Sequence, residues 1–319
     1  MTAIQLLNRL ATAQYGVFTR AQAKACGFSN KAIRHRLETG RWIALHPGIY
    51  VDASVPQAWH RDEIAACFWS RGVAAGIAAG FLFGLPGCEQ PQLEVVTHRN
   101  ARAMPMCGVI VRVTNRLPED QITDVAGIPV TVIERTLLDL CGRFPRRRAA
   151  IAVDNALSRG LTGIGELDYC LFRTARQGRN GCAVLRDLVK ARAKIGQVPT
   201  TPLETIVFEM LDSSPLDMPK LQHEILDAAG TFVARPDFLY AEEKLVIEAH
   251  SRLWHEGQEM TESDRIRENR IRAEGFDVMY VTWGDATQYA DRTLDRIAAK
   301  LEERRRLLGL SERPGGATS

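Results

Sequence analysis

The chain has 319 residues, 45% hydrophobic and 25% charged, and its 41 Lys and Arg against 38 Asp and Glu leave a net charge of +3. That length supports two or three domains with buried cores, the composition is that of an ordinary soluble protein, and the small positive charge permits nucleic-acid binding without demanding it. The seven scattered cysteines lack CxxC spacing, and the apolar stretch 73–85 is too short and glycine-broken to span a membrane. The cysteine pattern argues against a zinc knuckle or a disulfide framework, and with no signal peptide or membrane-spanning run recognisable, a soluble protein in a reducing cytoplasm is expected.

Residues 1–55 read as one unit. Helical periodicity covers 4–12, 20–26 and 30–39, with Thr19 and Ser29 as N-caps and Gly27 and Gly40 as stops. Alternation over 41–45 and 48–51 then predicts a small hairpin around His46-Pro47. Three short helices and a hairpin is the order of a winged helix-turn-helix. In the third helix Ile33 and Leu37 point inward, which leaves Lys31, Arg34, His35 and Arg36, followed by Arg41, for phosphate and base contacts. The plainer reading is a solvated basic helix.

Residues 56–145 read as an α/β scaffold, with helices over 57–70, 74–83 and 131–140 and strands over 93–97 and 109–114. Thr131 with Glu134 fits a capping box, and Arg135 with Asp139 an i,i+4 pair. Residues 146–198 read as a helical connector with helices over 146–158, 165–175 and 181–193. Its arginines and lysines (Arg143, Arg146 to Arg148, Arg173, Arg176, Arg179, Arg186, Lys190, Arg192, Lys194) suit either a surface that tracks a nucleic-acid backbone or an ordinary solvated face.

A last domain is expected over 199–309, before a disordered tail at 310–319. Thr201 caps its first helix, Pro202 takes the first helical position and Glu204 falls at the third, which explains Glu204 structurally. Strands are expected over 220–226, 231–240, 244–249 and 276–282, and charged helices over 261–273 and 285–308. Within this domain the stretch 233–255 stands out. Glu248 interrupts an apolar strand, which is costly unless the carboxylate is paired or metal-bound. A tight turn brings Asp237 towards it, and His250 shares its face. Two carboxylates and an imidazole suit a divalent cation that polarises a phosphodiester. Arg235 shares a strand face with Asp237, so its guanidinium is expected to reach either carboxylate or an incoming phosphate. The competing reading is a buried ion-pair network of Arg235, Asp237 and Glu248.

Arg235-Pro236-Asp237, Glu248-Ala249-His250 and Asp264-x-x-Arg267-x-x-x-Ile271 before Gly275 resemble the very-short-patch-repair endonuclease-like branch of the PD-(D/E)xK superfamily; the run 246–255 is particularly similar. Gly16-Val17-Phe18-Thr19 and Trp42 with Gly48-Ile49-Tyr50 resemble the winged-helix domain of AbiEi-type antitoxins, and 127–139 resembles the scaffold found with it. The fold these resemblances imply is multidomain α/β: a winged helix, an α/β and helical middle, and a C-terminal PD-(D/E)xK-like mixed sheet flanked by helices. They imply a DNA endonuclease using Mg²⁺ or Mn²⁺, with Asp237 and Glu248 on the metal, Glu204 as the helical glutamate, His250 in place of the usual lysine and His255 as the downstream histidine. The alternative they imply is an antitoxin-like transcriptional autoregulator with an inactive nuclease fold, whose partners are DNA and a nucleotidyltransferase-type toxin.

Overall fold

Residues 1–89, 91–99, 108–174, 180–250 and 262–311 are described by the computed structural model, and they fall into two units, Met1–Arg143 with Phe172–Cys182, and Phe144–Leu171 with Ala183–Ser319. His255, Arg176, Arg179 and the tail expected to be disordered lie outside the described residues, apart from the tail's first two positions.

In the first unit Thr2 caps α1 (Ala3–Thr12) in a reciprocal box with Gln5. A short strand, β1 (Val17–Thr19), follows; three residues are too few for alternation to reveal it. Thr19 ends that strand and, with Gln22, boxes the start of α2 (Arg20–Ala25). Ser29 caps α3 (Asn30–Glu38) by accepting from the Ala32 amide. Gly27 and Gly40 have φ of +100° and +68°, the left-handed stops the sequence calls for. β2 (Trp42–His46) and β3 (Ile49–Asp52) complete an antiparallel sheet of order β1-β3-β2. Leu7, Phe18, Phe28, Ile33, Trp42 and Tyr50 fill the space between helices and sheet.

α4 (Trp59–Ser70), β4 (Val73–Ala74), α5 (Gly76–Leu82), β5 (Leu93–His98), β6 (Val109–Thr114), β7 (Ile122–Val125), β8 (Ile128–Thr131) and α6 (Ile133–Cys141) form the rest of the unit around a five-stranded sheet of order β6-β5-β4-β8-β7. Val17 and Ile49 of the winged helix share a core with Ile64, Val95, Ile128 and Val130, so the two parts pack as one body. The helix expected over 74–83 starts at Gly76, because Val73 and Ala74 pair with β5. The capping box of Thr131 and Glu134 does not form: Thr131 ends β8, its hydroxyl lies 2.7 Å from Thr136 Oγ1, and Val132 occupies the cap without a side-chain bond. The Arg135–Asp139 pair forms at 3.0 Å.

Beneath α5 lies a buried acidic pair. Glu94 accepts from Arg112, from Arg143 and from the Ile77 amide, and a Cβ on Gly76 would meet its carboxylate at 2.6 Å, so only glycine fits there. Glu63 has no exposed surface, accepts from the Glu94 amide, and its Oε1 has no partner among the described residues. Burial, reinforced by the charge of Glu94, pushes its carboxyl up to about 8. A folded-state value above the unfolded one gives stability that is complete below about 4.5 and is lost as pH rises through 8. Glu63→Gln mimics the protonated side chain. At pH 9 it is expected to be more stable than wild type by at least about 1 kcal/mol, since a tenfold change in proton affinity is worth about 1.4 kcal/mol. At pH 5 the two proteins should melt together. Parallel pH–melting curves for the two proteins would contradict this.

The second unit starts with α7 (Arg146–Ser158), most of α8 (Ile164–Thr174) and α9 (Cys182–Ile195). α10 (Pro202–Asp212) begins as the sequence indicates, with Thr201 accepting from the Glu204 amide and Pro202 in the first turn. Then come β9 (Lys220–Leu221), β10 (Ile225–Leu226), β11 (Phe232–Ala234), β12 (Phe238–Tyr240), β13 (Leu245–Ala249), α11 (Glu262–Ala273), β14 (Asp277–Val281), α12 (Trp283–Thr287) and α13 (Ala290–Leu307). The main sheet has the order β14-β13-β12-β9, with β13 and β14 parallel. Phe238, Tyr240, Leu245 and Ile247 face the core made with α10 and α13, while Leu239 and Val246 pack with Ile271 of α11. No helix among the described residues is long and apolar enough to cross a membrane.

Three expectations for this unit need correction. The strand over 231–240 is two strands in different sheets, interrupted at Arg235-Pro236-Asp237, where proline has no amide for a ladder. The strand over 220–226 is likewise split between those two sheets. The helix over 285–308 is two helices: Thr282 and Asp285 box the start of α12, and the Gln288 and Tyr289 amides both turn back to the Gly284 carbonyl. The basic run expected along 143–194 is taken up in part by ion pairs and burial, while Arg147, Arg148, Arg186, Lys190 and Lys194 are exposed. Arg143 bonds Glu94, Arg173 bonds Asp120, Arg146 bonds Glu209, and Arg192 is fully buried.

Candidate nucleic-acid interface and carboxylate cluster

Charge is unevenly spread along the chain. Residues 1–51 contain seven Lys and Arg and one Glu, a net +6, so the remaining residues are net −3 within the total of +3. Much of that positive charge is presented by the helix-turn-helix. Ile33 anchors α3 in the core, and this leaves Lys31, Arg34 and His35 exposed on the outer side, with Arg41 exposed after the Gly40 stop. Arg20, at the start of α2, donates to the Asn30 side chain at 3.2 Å and ties the two helices together. Arg36 is placed differently from its neighbours. Its guanidinium lies 4.8 Å from the Phe28 ring and 5.3 Å from the Trp42 ring, so it packs α3 onto the wing strand instead of projecting outward. The sequence could not show this, because Trp42 comes from another element. An exposed basic helix face beside a two-stranded wing can enter a major groove and bind flanking phosphates.

The second unit gathers the carboxylates singled out in its sequence. β12 and β13 pair with Phe238 opposite Ile247, which sets Asp237 beside Glu248. Asp237 Oδ2 accepts from the Ala249 amide at 2.8 Å. Burial raises the Asp237 carboxyl, and the charge of Glu204 adds to this. Burial and the charge of Asp237 push the Glu248 carboxyl up to about 8. Arg267 from α11 places a nitrogen 2.9 Å from Glu248 Oε1, at an angle that leaves that oxygen without a hydrogen bond. Glu204 is nearly buried and accepts from the Thr200 amide and hydroxyl and from Gln222 Nε2. Arg235 does not reach the carboxylates. It is exposed and grips Gln222, donating to that residue's carbonyl and side-chain oxygen, each at 2.9 Å, because the break at Pro236 turns it off the strand face. An Arg235, Asp237 and Glu248 ion-pair network is therefore not what the chain builds. The cation beside Glu248 is instead Arg267, which lies on a different element from either carboxylate.

His250 follows β13, its amide bonded to the Val281 carbonyl and its ring edge-on to Tyr280 at 5.3 Å. Its Nδ1 is buried with no partner among the described residues. His250 and Glu248 line a cavity of about 40 Å³ with Asp264, Arg267 and Tyr280, close to the volume of a single water. Asp237 and Glu248 are hard oxygen donors side by side, and a cation there would compete with protons for them. Among the described residues no third His, Cys, Asp or Glu completes a metal-binding group with them.

Comparison with known proteins adds to this geometry at the N-terminus. A family model for the transcriptional regulator AbiEi antitoxin matches residues 5–51. Two uncharacterized proteins of Mycobacterium tuberculosis, from strains CDC 1551 / Oshkosh and ATCC 25618 / H37Rv, are each 25% identical over 206 residues, 64% of this chain and 72% of theirs.

Proposed function

We propose, from the AbiEi-type winged helix at residues 5–51, that this protein is a DNA-binding transcriptional regulator that acts on its own upstream region. The observation that carries the reading is the exposed Lys31, Arg34 and His35 face of α3 on a segment of net charge +6. Phosphate contacts from Lys31, Arg34 and Arg41 would fix register, and one or more of the α3 side chains would read base edges. The antitoxin-type region brings with it the proposal of a toxin partner, of nucleotidyltransferase type. A reporter driven by the gene's own upstream region tests the regulatory role. Supplying the protein in trans is expected to lower reporter output several-fold, and unchanged output would contradict autoregulation.

A second reading attaches to the carboxylates. What favours a metal-dependent nuclease there is the placing of Asp237 beside Glu248 on neighbouring strands, a half-buried and a buried acid whose carboxyls are both raised by burial and by a neighbouring carboxylate. They would hold Mg²⁺ or Mn²⁺, with Glu204 behind them, and His250 and His255 are the proposed proton-relay or phosphate-contact groups. A divalent cation there would supply an activated water and stabilise phosphate charge. Calorimetric titration with Mn²⁺ is expected to give a binding isotherm with wild type that Asp237→Asn weakens at least about tenfold, alongside loss of plasmid nicking. No heat with wild type would leave Asp237 and Glu248 as a hydrogen-bonded structural pair.

A further inference from the structure

Arg267 of α11 stands at the edge of the carboxylate cluster, and its bonding is not that of a simple counter-ion. Its Nη2 lies 2.9 Å from Glu248 Oε1, yet the hydrogen bond that this nitrogen makes is to the Arg235 carbonyl, also at 2.9 Å. Glu248 Oε1 is left without a hydrogen bond among the described residues. An arginine that only neutralises a carboxylate closes on it with two parallel N–H bonds. Here the carbonyl at the Pro236 break holds the guanidinium off that geometry. Nε and Nη1 have no partner among the described residues, and 43% of the side chain is exposed. Glu268, next to it on α11, does not claim them, because it is taken by Arg272 and by the Tyr280 hydroxyl. Three carboxylates, Glu204, Asp237 and Glu248, gather at this corner, and by themselves they would turn a phosphate away. Arg267 is a cation whose charge reaches both Asp237 and Glu248.

We propose that Arg267 is the phosphate-binding residue of this cluster, its free guanidinium nitrogens taking the non-bridging oxygens of a nucleic-acid phosphodiester. The assignment rests on the second reading above, and it adds to that reading the group that admits an anionic substrate beside the acids. The bond to the Arg235 carbonyl fixes the guanidinium before any phosphate arrives, so little ordering is left to be done on binding. The same bond draws Nη2 away from Glu248, which leaves that carboxylate able to meet a cation.

The test uses as parent the full chain carrying Lys31→Glu and Arg34→Glu, so that the winged helix contributes little. A fluorescein-labelled oligothymidylate is followed by anisotropy at low salt, with and without Mn²⁺. Arg267→Met is expected to weaken its binding at least about tenfold, the worth of a hydrogen bond to a charged group, while melting within a few degrees of the parent. Arg267→Lys, which keeps the charge and loses the planar fork, should fall between the two. Arg265→Met removes an exposed charge from the same helix and should change affinity less than about twofold. A strand with uncharged methylphosphonate linkages should bind parent and Arg267→Met alike. Equal binding of the oligothymidylate by parent and Arg267→Met, or an equal loss in Arg265→Met, overturns the assignment. So does a parent that fails to bind the strand in either condition. Should Arg267→Met melt well below the parent, Arg267→Lys compared with Arg265→Lys takes its place. If Mn²⁺ neither binds nor tightens the strand while the Arg267 variants still weaken it, the metal-dependent reading fails and the phosphate site stands.

Discussion

Lys31→Glu combined with Arg34→Glu is expected to reduce affinity for the upstream DNA at least about 100-fold while leaving the melting temperature within a few degrees of wild type. Each side chain in good contact with a base or phosphate is worth roughly 1–3 kcal/mol, and a reversed charge adds repulsion, so two reversals exceed the ~2.8 kcal/mol that a hundredfold requires. The fold should survive because both residues are exposed, while the helix is held by the Ser29 cap, by buried Ile33 and by Arg36 on the Phe28 and Trp42 rings. Lost phosphate contacts should also flatten the salt dependence by about 0.9 per contact. Anisotropy titrations of both proteins on the same duplex give both readouts. Undiminished affinity in a folded double variant would remove α3 from the DNA interface.

The largest stability effect is expected at Arg192. Its side chain is wholly buried, bidentate to Asp154 with both contacts at 2.9 Å, 2.6 Å from Glu209 Oε1, and stacked 4.6 Å from the Phe208 ring. Glu209 is shared with Arg146 at 2.9 Å. Arg192→Leu keeps the hydrophobic stem but leaves the buried Asp154 without its cation, while Glu209 retains Arg146. Breaking a buried pair from one side costs about 3–5 kcal/mol, against little or nothing for an exposed one. The melting transition of the second unit is expected to fall by on the order of 10 °C at pH 7. The deficit should shrink at pH 4, where Asp154, which burial already raises, takes up a proton. A variant that melts with wild type at pH 7 would show that the network contributes no net stability.

The winged helix was readable because its signals are local. Thr19 and Ser29 precede their helices, Gly27 and Gly40 end them, and Ile33 marks the buried side of α3. The approach of Asp237 to Glu248 was readable for the same reason, since a tight antiparallel turn fixes which residues lie side by side. What the sequence hid depends on distant partners. Arg36 looked like one more surface cation until Trp42 was folded under it. Arg192 looked like part of a basic face, yet its carboxylate Asp154 lies 38 positions earlier in the chain. β4 is two residues long and exists only because β5 and β8 flank it. The break at Pro236 was a signal present in the sequence, a proline inside a presumed strand, and it redirects Arg235 from the carboxylates to Gln222.

The central claim, that the winged helix of this chain is a sequence-reading DNA element, is tested most directly by titrating the full chain on its own upstream duplex and on a scrambled duplex of equal length at several salt concentrations. Binding to the upstream duplex is expected to be at least about 1,000-fold tighter than to the scrambled one at physiological salt. The log–log salt slope should be about −3, as three phosphate contacts from Lys31, Arg34 and Arg41 require. Equal affinity for the two duplexes, or no binding to either at low salt, would contradict it.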